Sequence, residues 1–352
     1  MGYAVLEALI RAGFARLTMS TTTDPCDLTA PATNDRVDSY VQRWVAGTNG
    51  NLYVPLINKL PRYPIPEWRA GAPRNTHEWL LDIGCGWGRW LVSGAQAGYS
   101  PIGLDIKVDA LHAARRVLKH HKLRGYVVAA DLRRLPFRDD VFDKVFSYSV
   151  LQHTHRRRCF ACLRDIWRIL RPGGCCYLEF PIRHGLTNWR HLLRTSAEDD
   201  YESWCVRYYS RRELRRVFVE IFGDVVLETD CFLGIGVQRE DLDLLPWKYK
   251  PVVVGSELLK RTAKALPFVR WLSDSVFVSS RKAGDARPPV PITSRFGPDD
   301  NLWILPWLVC PVTQCALEYD VRSHTLVSQS AGLRYPIDND VPVLIEQSAN
   351  KL

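Results

Sequence analysis

The chain has 352 residues, of which 46% are hydrophobic and 24% charged, and its Lys and Arg outnumber Asp and Glu to give a formal charge of +9. These values are typical of globular proteins and exclude a wholly disordered, collagen-like or repeat architecture. The length exceeds one typical domain of roughly 100–200 residues, so one large domain and a smaller one are expected. The positive charge favours anionic partners such as nucleic acid, phosphorylated glycans or lipid headgroups.

The first 36 residues are predicted to form a short helix and a flexible linker, because MGYAVLEALIRAGFARL has apolar residues at helical spacing and Thr, Asp and Pro follow it. Its apolar runs are far below the roughly 18 residues that span a bilayer, so no transmembrane segment is expected. The ten cysteines show no framework spacing. Reduced thiols and a cytoplasmic protein are therefore expected. Residues 37–76, which mix aromatic residues with proline, are expected to form an irregular collar.

From residue 77 the sequence alternates between buried-strand and amphipathic-helix patterns, which predicts an α/β domain with a mostly parallel sheet and helices on both faces. Strands are predicted in EWLLDIG, SPIGLDI, GYVVAAD, FDKVFSYS, CCYLEFP, DVVLETDCFLGIGV and SDSVFVSSRK. Helices are predicted in GRWLVSGAQAG, VDALHAARRVLKHHKL, HRRRCFACLRDIWRILRPGG and SRRELRRVFVEIFG.

The domain boundaries follow from composition. The α/β domain is assigned to residues 77–282, with an insertion at about 183–250 that looks like a substrate cover. A Pro-rich linker is expected at 283–302, followed by a small β-rich domain at 303–348.

A glycine-rich loop, LLDIGCGWGRW, lies between the first predicted strand and helix, with Gly84, Gly86 and Gly88 at alternate positions. Glycine lets the backbone turn tightly and approach a ligand, and the start of the helix offers unpaired N–H groups. Such a loop alone also fits a phosphate or dinucleotide site.

Three aspartates lie where predicted parallel strands end, at the edge of the sheet where ligands bind in such folds. Asp105 is suited to accept both hydroxyls of a ribose, and Asp131 with Leu132 to meet an adenine. Asp82 is placed to order the loop and attract an ammonium group.

These residues resemble class I S-adenosylmethionine-dependent methyltransferases, whose first motif is similar to LDIGCGWGRW. The resemblance covers about a third of the chain and continues through GLDI, AADLRRLPFRDDVFDKVFSYSVLQH and LRDIWRILRPGGCCYLEF. It implies a Rossmann-like fold and S-adenosylmethionine as cofactor. Trp87 departs from the family pattern and is expected to face a helix or the collar. The resemblance implies methionine contacts from Gly84, Cys85 and Gly86, ribose and adenine contacts from Asp105, Ile106, Asp131 and Leu132, and positions near the sulfur for Ser147 and Tyr148.

The closest rival for the loop is a dinucleotide-binding enzyme, because Asp105 follows the glycines by about the 20 residues that motif requires. The later motifs favour the methyltransferase. His153 is the leading candidate for a general base, since it follows the fourth strand and imidazole accepts protons near neutral pH. A local structural role, such as capping the next helix, is the alternative for His153. His155 and His184 are weaker candidates.

Two further patterns have functional and structural interpretations. The basic segments HTHRRRC, RELRR and RHGLTNWRHLLR fit either an acidic-ligand patch at the mouth of the site, with Trp189 or Tyr208 as stacking surfaces, or solvated helix faces. The pair Cys159 and Cys162 has metal-motif spacing but lies in a helical run without a second pair, which favours simple packing.

The tail from residue 303 resembles short bacterial relatives of the small zinc-binding activator subunit that partners several methyltransferases of translation. Zinc sites of that kind need four ligands. The tail has only Cys310 and Cys315, with Thr313 where a pair would be completed, so no metal is predicted. Its predicted core is Trp307, Leu308, Leu317, Leu333, Tyr335, Ile337 and Val343.

The sequence therefore predicts an S-adenosylmethionine-dependent methyltransferase that acts on a small molecule or glycan, as the private insertion suggests. One alternative is a tRNA or translation-factor methyltransferase, favoured by the tail and the basic charge. Another is a non-catalytic S-adenosylmethionine-binding partner subunit.

Overall fold

The computed structural model describes residues 37–49, 53–75, 78–188, 206–233, 237–285 and 293–352. The chain divides into two compact units, Met1–Tyr63 and Pro64–Leu352. Within the first unit, helix α1 spans Ser39–Asn49 and a 3-10 turn spans Val54–Leu56. The expectation of an irregular collar was thus wrong for the α1 segment, where Val41 and Val45 are fully buried at helical spacing. The helix and linker predicted for residues 1–36 lie outside the described residues.

The second unit contains one long sheet with helices packed on it. Its helices are α2 Arg89–Gln96, α3 Val108–His120, α4 Arg156–Ile169, α5 Arg211–Phe222 and α6 Lys250–Ala265. The first seven strands are β1 Trp79–Ile83, β2 Ser100–Asp105, β3 Tyr126–Ala130, β4 Phe142–Ser147, β5 Leu170–Pro181, β6 Val226–Cys231 and β7 Ser275–Arg281. The C-terminal strands are β8 Glu318–Asp320, β9 Thr325–Ser328, β10 Leu333–Asp338, β11 Val341–Leu344 and β12 Asn350–Lys351.

The strand order is β6-β7-β5-β4-β1-β2-β3-β11-β10-β9-β8, and β12 pairs with β10. Strands β1 to β5 run parallel, whereas β7 lies antiparallel between β5 and β6. Because β1 has β2 on one side and β4 on the other, the order reverses beside it. This reversal creates a crevice at the carboxyl ends of the strands, which is where ligands bind in folds of this kind. The predicted α/β, Rossmann-like class is confirmed.

Three elements differ from the sequence-based expectation. Helix α4 ends at Ile169 rather than at the Pro-Gly-Gly turn, because Leu170 already pairs with Phe142 of β4. Strand β6 ends at Cys231, well short of the predicted end at Val237. Helix α6 was not predicted, although Val253, Ser256 and Ala263 form its buried face at helical spacing. None of the described helices has the length and apolar content needed to cross a membrane.

The C-terminal segment, defined here as residues 293–352, continues the main sheet. Strand β11 lies parallel to β3, with Val343 opposite Ala129 and Leu344 opposite Ala130. Asn301 covers the next part of the β3 edge: its Oδ1 accepts from Val127 N at 2.7 Å, and its Nδ2 donates to Val127 O at 2.9 Å. The same Nδ2 donates to the carbonyl of Asp340 at 2.8 Å. The edge of β3 is therefore paired instead of exposed.

Aromatic rings fill the space beneath this junction. Trp307 meets Trp79 edge-on with ring centroids 4.2 Å apart, and Trp303 stacks on both Trp79 and Tyr126. Such pairs add roughly 0.5–1.5 kcal/mol each to the stabilisation from burial. The segment therefore shares its core with the α/β domain. Of its predicted core residues, Trp307, Leu308, Tyr335 and Val343 are buried, and Leu317, Leu333 and Ile337 pack half-buried against them.

Asn301→Ala tests how strongly this junction supports the second unit. The substitution leaves the buried N–H and C=O of Val127 without partners, which costs about 1–3 kcal/mol. We expect the melting temperature measured by differential scanning fluorimetry to fall by roughly 3–8 °C. Asn350→Ala, at an exposed asparagine on β12, serves as the matched control. Equal melting temperatures for the two variants would contradict a supporting role for Asn301.

Candidate functional site

The glycine-rich loop between β1 and α2 adopts a left-handed backbone conformation at each of its three glycines. The φ angles are 72° at Gly84, 51° at Gly86 and 88° at Gly88. A side chain at Gly84 would clash with Val150 at 2.3 Å, so the close packing of the loop requires glycine there.

Four N–H groups of the loop are already bonded within the protein. Gly84 N and Cys85 N both donate to the carbonyl of Leu104, at 2.7 and 3.0 Å. Gly86 N donates to Asp105 Oδ2 at 2.9 Å, and Gly88 N donates to the carbonyl of Cys85 at 2.9 Å. The loop therefore does not present the fan of free N–H donors that holds a phosphate.

Asp82 lies at the end of β1 beneath the loop and is 2% exposed. Burial, followed by the nearby charge of Asp105, raises its pKa to about 8, against a hydrogen bond from the backbone of Leu91 that lowers it. Its Oδ2 has no hydrogen-bond partner within the described part of the chain. A buried carboxyl oxygen without a partner fits a site for a cationic group, because such a group would stabilise the ionised form.

Asp105 lies at the end of β2, next to the loop. Its Oδ2 accepts from Gly86, and its Oδ1 accepts from Lys107 N at 2.9 Å. Burial raises the pKa of Asp105, although these backbone hydrogen bonds oppose the shift. Ile106, directly after it, has an unusually exposed apolar side chain, with 50% of its surface accessible. An acceptor group beside an exposed aliphatic surface is suited to a ribose and the face of an adenine.

Asp131 follows β3 and is engaged by its neighbour Arg133. Its Oδ1 accepts from Arg133 N at 2.9 Å, and its Oδ2 accepts from Arg133 Nε at 2.6 Å. Leu132 is half-buried and packs against the main core. Because Asp131 directly follows the end of β3, its carboxylate lies at the same edge of the parallel sheet as Asp82 and Asp105. The two hydrogen bonds from Arg133 fix its orientation.

Ser147 and Tyr148 at the end of β4 have different surroundings. The Ser147 hydroxyl is buried and donates to the carbonyl of Ile83 at 3.0 Å, so it fastens β4 to β1. The Tyr148 hydroxyl accepts from Gln238 Nε2 at 3.0 Å and donates to Asp230 Oδ2 at 3.4 Å. Burial and the charge of Asp230 raise the pKa of Tyr148 well above its ordinary value, so its hydroxyl stays protonated.

Two buried carboxyl groups, Glu179 on β5 and Asp230 on β6, lie beside Tyr148. Glu179 Oε2 accepts from Ser149 N at 3.0 Å and thereby holds the left-handed residue that follows Tyr148. Ser275 donates to Asp230 Oδ2 at 2.8 Å. Burial, followed by the charge of Asp230, raises the pKa of Glu179 to about 8, which keeps this carboxyl group protonated at neutral pH.

An ion pair joins the loop region to the predicted insertion. Arg89, the first residue of α2, donates to Asp241 Oδ2 at 2.5 Å, and both side chains are buried. Neither this pair nor the Glu179–Asp230 pair was predicted from the sequence. Charged residues inside otherwise apolar strands, as in CCYLEFP, were the available signal.

The three candidate histidines have separate roles in the structure. His153 ends a 3-10 turn after β4, with its Nε2 3.5 Å from Gln152 Nε2 and its carbonyl accepting from Arg207. His155 caps α4, because its Nδ1 accepts from Arg157 N. His184 is exposed in a turn.

The remaining sequence-predicted features are only partly described by the structure. Trp189 lies outside the described residues, and the carbonyl of Tyr208 accepts from Arg156. Cys159 and Cys162 are fully buried on the inner face of α4, as the packing interpretation predicted. The structure groups no three metal-ligating side chains within its described ranges. In the C-terminal segment, Thr313 Oγ1 and Ser330 Oγ are 2.8 Å apart.

Comparisons with known proteins match the two parts of the chain separately. A family model described as a methyltransferase domain matches residues 80–174, and one described as Trm112p-like protein matches residues 304–340. A UPF0434 protein of Polaromonas naphthalenivorans is 49% identical over 49 residues, which cover 14% of this chain and 82% of that relative.

A protein of Mycobacterium avium named an uncharacterized methyltransferase is 32% identical over 116 residues, covering 33% of this chain and 44% of its own length. This chain thus spans less than half of that methyltransferase. A solved S-adenosylmethionine-dependent methyltransferase of Methanosarcina mazei has 15% identity and a TM-score of 0.43, over 60% of this chain and 95% of that one. The chain carries a methyltransferase domain and belongs, through its C-terminal segment, to the Trm112p-like UPF0434 family.

Proposed function

We propose that the chain transfers the methyl group of S-adenosylmethionine to a hydroxyl or amine group of a small molecule or glycan. The observation that carries this proposal is the buried network of Tyr148, Glu179 and Asp230 beside the end of β4. Buried carboxyl and phenol groups suit an acceptor that donates hydrogen bonds. The same surroundings suit a polyanion poorly, because a buried site of this kind excludes the water that a multiply charged group needs for its solvation.

The cofactor residues are proposed from the same edge of the sheet. Asp82 faces the ammonium of the methionine portion, Asp105 the ribose hydroxyls, and Asp131 the adenine amino group. Gly84, Cys85, Gly86 and Gly88 shape the loop, while Ile106 and Leu132 offer apolar surface to the adenine. Because the loop N–H groups are internally bonded, the loop suits a cofactor without phosphates better than a dinucleotide.

The bound cofactor supplies an electrophilic methyl group on a sulfonium centre. The chain's residues then need to hold the acceptor in line with that methyl group and to exclude water. We propose that Tyr148, fixed between Gln238 and Asp230, orients the acceptor atom. His153, close by in sequence after β4, is the proposed proton acceptor for a hydroxyl acceptor.

A second candidate is a tRNA or translation-factor methyltransferase. The observation that favours it is the set of arginines on α4 and α5, which lie side by side and are joined by the ion pair between Arg156 and Glu213 at 2.6 Å. A nucleic acid acceptor predicts salt-sensitive binding of bulk tRNA, because phosphate contacts weaken as counterion concentration rises. A partner subunit without activity predicts cofactor binding and no methyl transfer to any acceptor.

Calorimetric titration with S-adenosylhomocysteine at several pH values tests the role of Asp82. Since the Asp82 carboxyl has a raised pKa of about 8, binding of an ammonium group beside it should release a proton. We expect affinity to increase by up to about tenfold per pH unit from pH 6 to 7.5, and the apparent enthalpy to depend on the buffer. Asp82→Asn should remove both dependences. Tight binding without proton release would contradict the placement of the ammonium, whereas binding of NAD alone would contradict the cofactor.

Asp105→Ala tests the ribose assignment in the same titration. A charge-assisted hydrogen bond contributes about 1.5–3 kcal/mol, so the affinity for S-adenosylhomocysteine should fall by more than roughly tenfold. Asp105→Asn keeps one acceptor oxygen for the loop, so it should lose less affinity than Asp105→Ala. Asp109→Ala, at an exposed aspartate in the first turn of α3, is the matched control. Unchanged affinity in a folded Asp105→Ala variant would overturn the assignment.

Glu179→Gln tests the protonated state of the buried network through stability. Its ordinary pKa is 4.5 and its folded-state pKa is about 8, so the stability linked to this group is present below pH 4.5 and lost as the pH rises to about 8. Glutamine mimics the protonated carboxyl group, so the variant should melt roughly 2–6 °C above wild type at pH 8 and near it at pH 5. The exposed Glu318→Gln is the control. If the melting temperatures of Glu179→Gln and wild type differ by the same amount at pH 5 and pH 8, Glu179 is ionised in the folded protein.

A further inference from the structure

A cavity lies where the C-terminal segment meets the α/β domain. It has a volume of about 300 Å³ and is called the seam pocket here. Its lining residues are Asp131, Arg133, Arg134, Arg158, Ala161, Pro311, Leu344, Glu346 and Gln347. Of the proposed cofactor residues, only Asp131 is among them. The pocket therefore adjoins the proposed adenine position without coinciding with the loop, the ribose position or the Tyr148 network.

Both parts of the chain are needed to form the seam pocket. Leu344 at the end of β11 and Pro311 are buried and form its apolar floor. Arg133 and Arg134 follow β3, and Arg158 lies in the first turn of α4. Since β11 pairs with β3, the C-terminal segment brings its residues against these three arginines. The volume lies at the lower end of the range of about 300–1,000 Å³ seen for small-ligand sites.

The charges of the seam pocket favour an anion. Three guanidinium groups face two carboxylates, Asp131 and Glu346, which leaves an excess of positive charge. The pair of Arg134 and Glu346 is 3.4 Å apart, and both side chains are more than half exposed, so this pair holds Arg134 only weakly. A competing anion can therefore recruit Arg134 at little cost in free energy.

The sequence at the start of α4 also favours a bound anion. Its first three residues, Arg156, Arg157 and Arg158, are all basic, and no acidic residue lies in the first turn. This arrangement opposes the helix dipole, which favours negative charge at that end. Arg156 pairs with Glu213, and Arg158 lines the seam pocket. A bound anion would add the negative charge that the helix dipole favours at this end.

We propose that the seam pocket binds a phosphate group, presented by a ligand other than the methyl donor. Arginine forks match phosphate oxygens with paired hydrogen bonds, and a multiply charged anion competes with two resident carboxylates better than a single carboxylate does. S-adenosylmethionine carries no phosphate. The C-terminal segment thus contributes directly to a ligand site in addition to covering the edge of β3.

The test is calorimetric titration of the full chain with pyrophosphate at low ionic strength. Arg158→Gln should weaken binding roughly tenfold, and Arg134→Gln serves as a second variant should the first fail to fold. Arg164→Gln is the matched control, because Arg164 lies on the same helix, exposed and paired with Glu220 outside the pocket. Glu346→Gln should strengthen binding severalfold, since it removes a competing carboxylate.

Further titrations separate this proposal from the proposed function. Arg158→Gln should leave the affinity for S-adenosylhomocysteine unchanged, and saturating S-adenosylhomocysteine should not displace pyrophosphate. A short single-stranded RNA that binds more tightly than pyrophosphate and depends on Arg158 would identify a nucleic acid backbone as the source of the phosphate. Pyrophosphate binding without such RNA binding would identify a small phosphorylated ligand. Three results would overturn the proposal. They are an absence of pyrophosphate binding, an equal loss of pyrophosphate affinity in Arg158→Gln and Arg164→Gln, and displacement of pyrophosphate by S-adenosylhomocysteine.

Discussion

The structure depends on the pairing of the β3 edge with the C-terminal segment. An unpaired edge of a buried parallel sheet exposes backbone donors and acceptors, which invites aggregation and weakens the strand. Here β11 and the Asn301 side chain complete that edge, and Trp303 and Trp307 fill the space beneath it. Since Asp131 follows β3 directly, the same contacts hold one end of the proposed cofactor site. The segment is therefore part of the folding unit that carries the chemistry.

The second constraint is the burial of carboxyl groups along the crevice. Burial raises the pKa of both Asp82 and Glu179 to about 8, which means that folding works against their ionised forms. Residues kept in a state that water would not favour are common at functional sites. A cationic group beside Asp82 would reverse this penalty. The protonated Glu179 instead has a positioning role, because it holds the backbone of Ser149 next to Tyr148.

Local patterns in the sequence were sufficient to predict most of the α/β domain. Strands β1 to β5 and the glycine loop follow from apolar runs punctuated by glycine, and the three aspartates follow from their positions at strand ends. Pairings between distant residues were not predictable in this way. Glu179 on β5 and Asp230 on β6 interact across β7, where both carboxyl groups are hydrogen-bonded to Ser275. The β3–β11 ladder involves only two residue pairs, too few to leave a periodic pattern. The end of α4 was misplaced because pairing of Leu170 with β4 outweighs the helical pattern.

Charge is distributed in two layers around the carboxyl edge of the sheet. Carboxyl and phenol groups line the interior beside β4 and β5, whereas arginines occupy the outer turns after β3 and at the start of α4 and α5. An acceptor that binds to both layers would carry its reacting hydroxyl or amine at one end, beside the carboxyl and phenol groups, and a negative charge at the other end, beside the arginines. A phosphorylated small molecule or glycan meets that description as a whole, whereas a nucleic acid meets it only by extending one group inward from its backbone. The proposal of a phosphorylated small molecule or glycan as acceptor rests on this distribution of charge, independently of what the relatives of either segment act on.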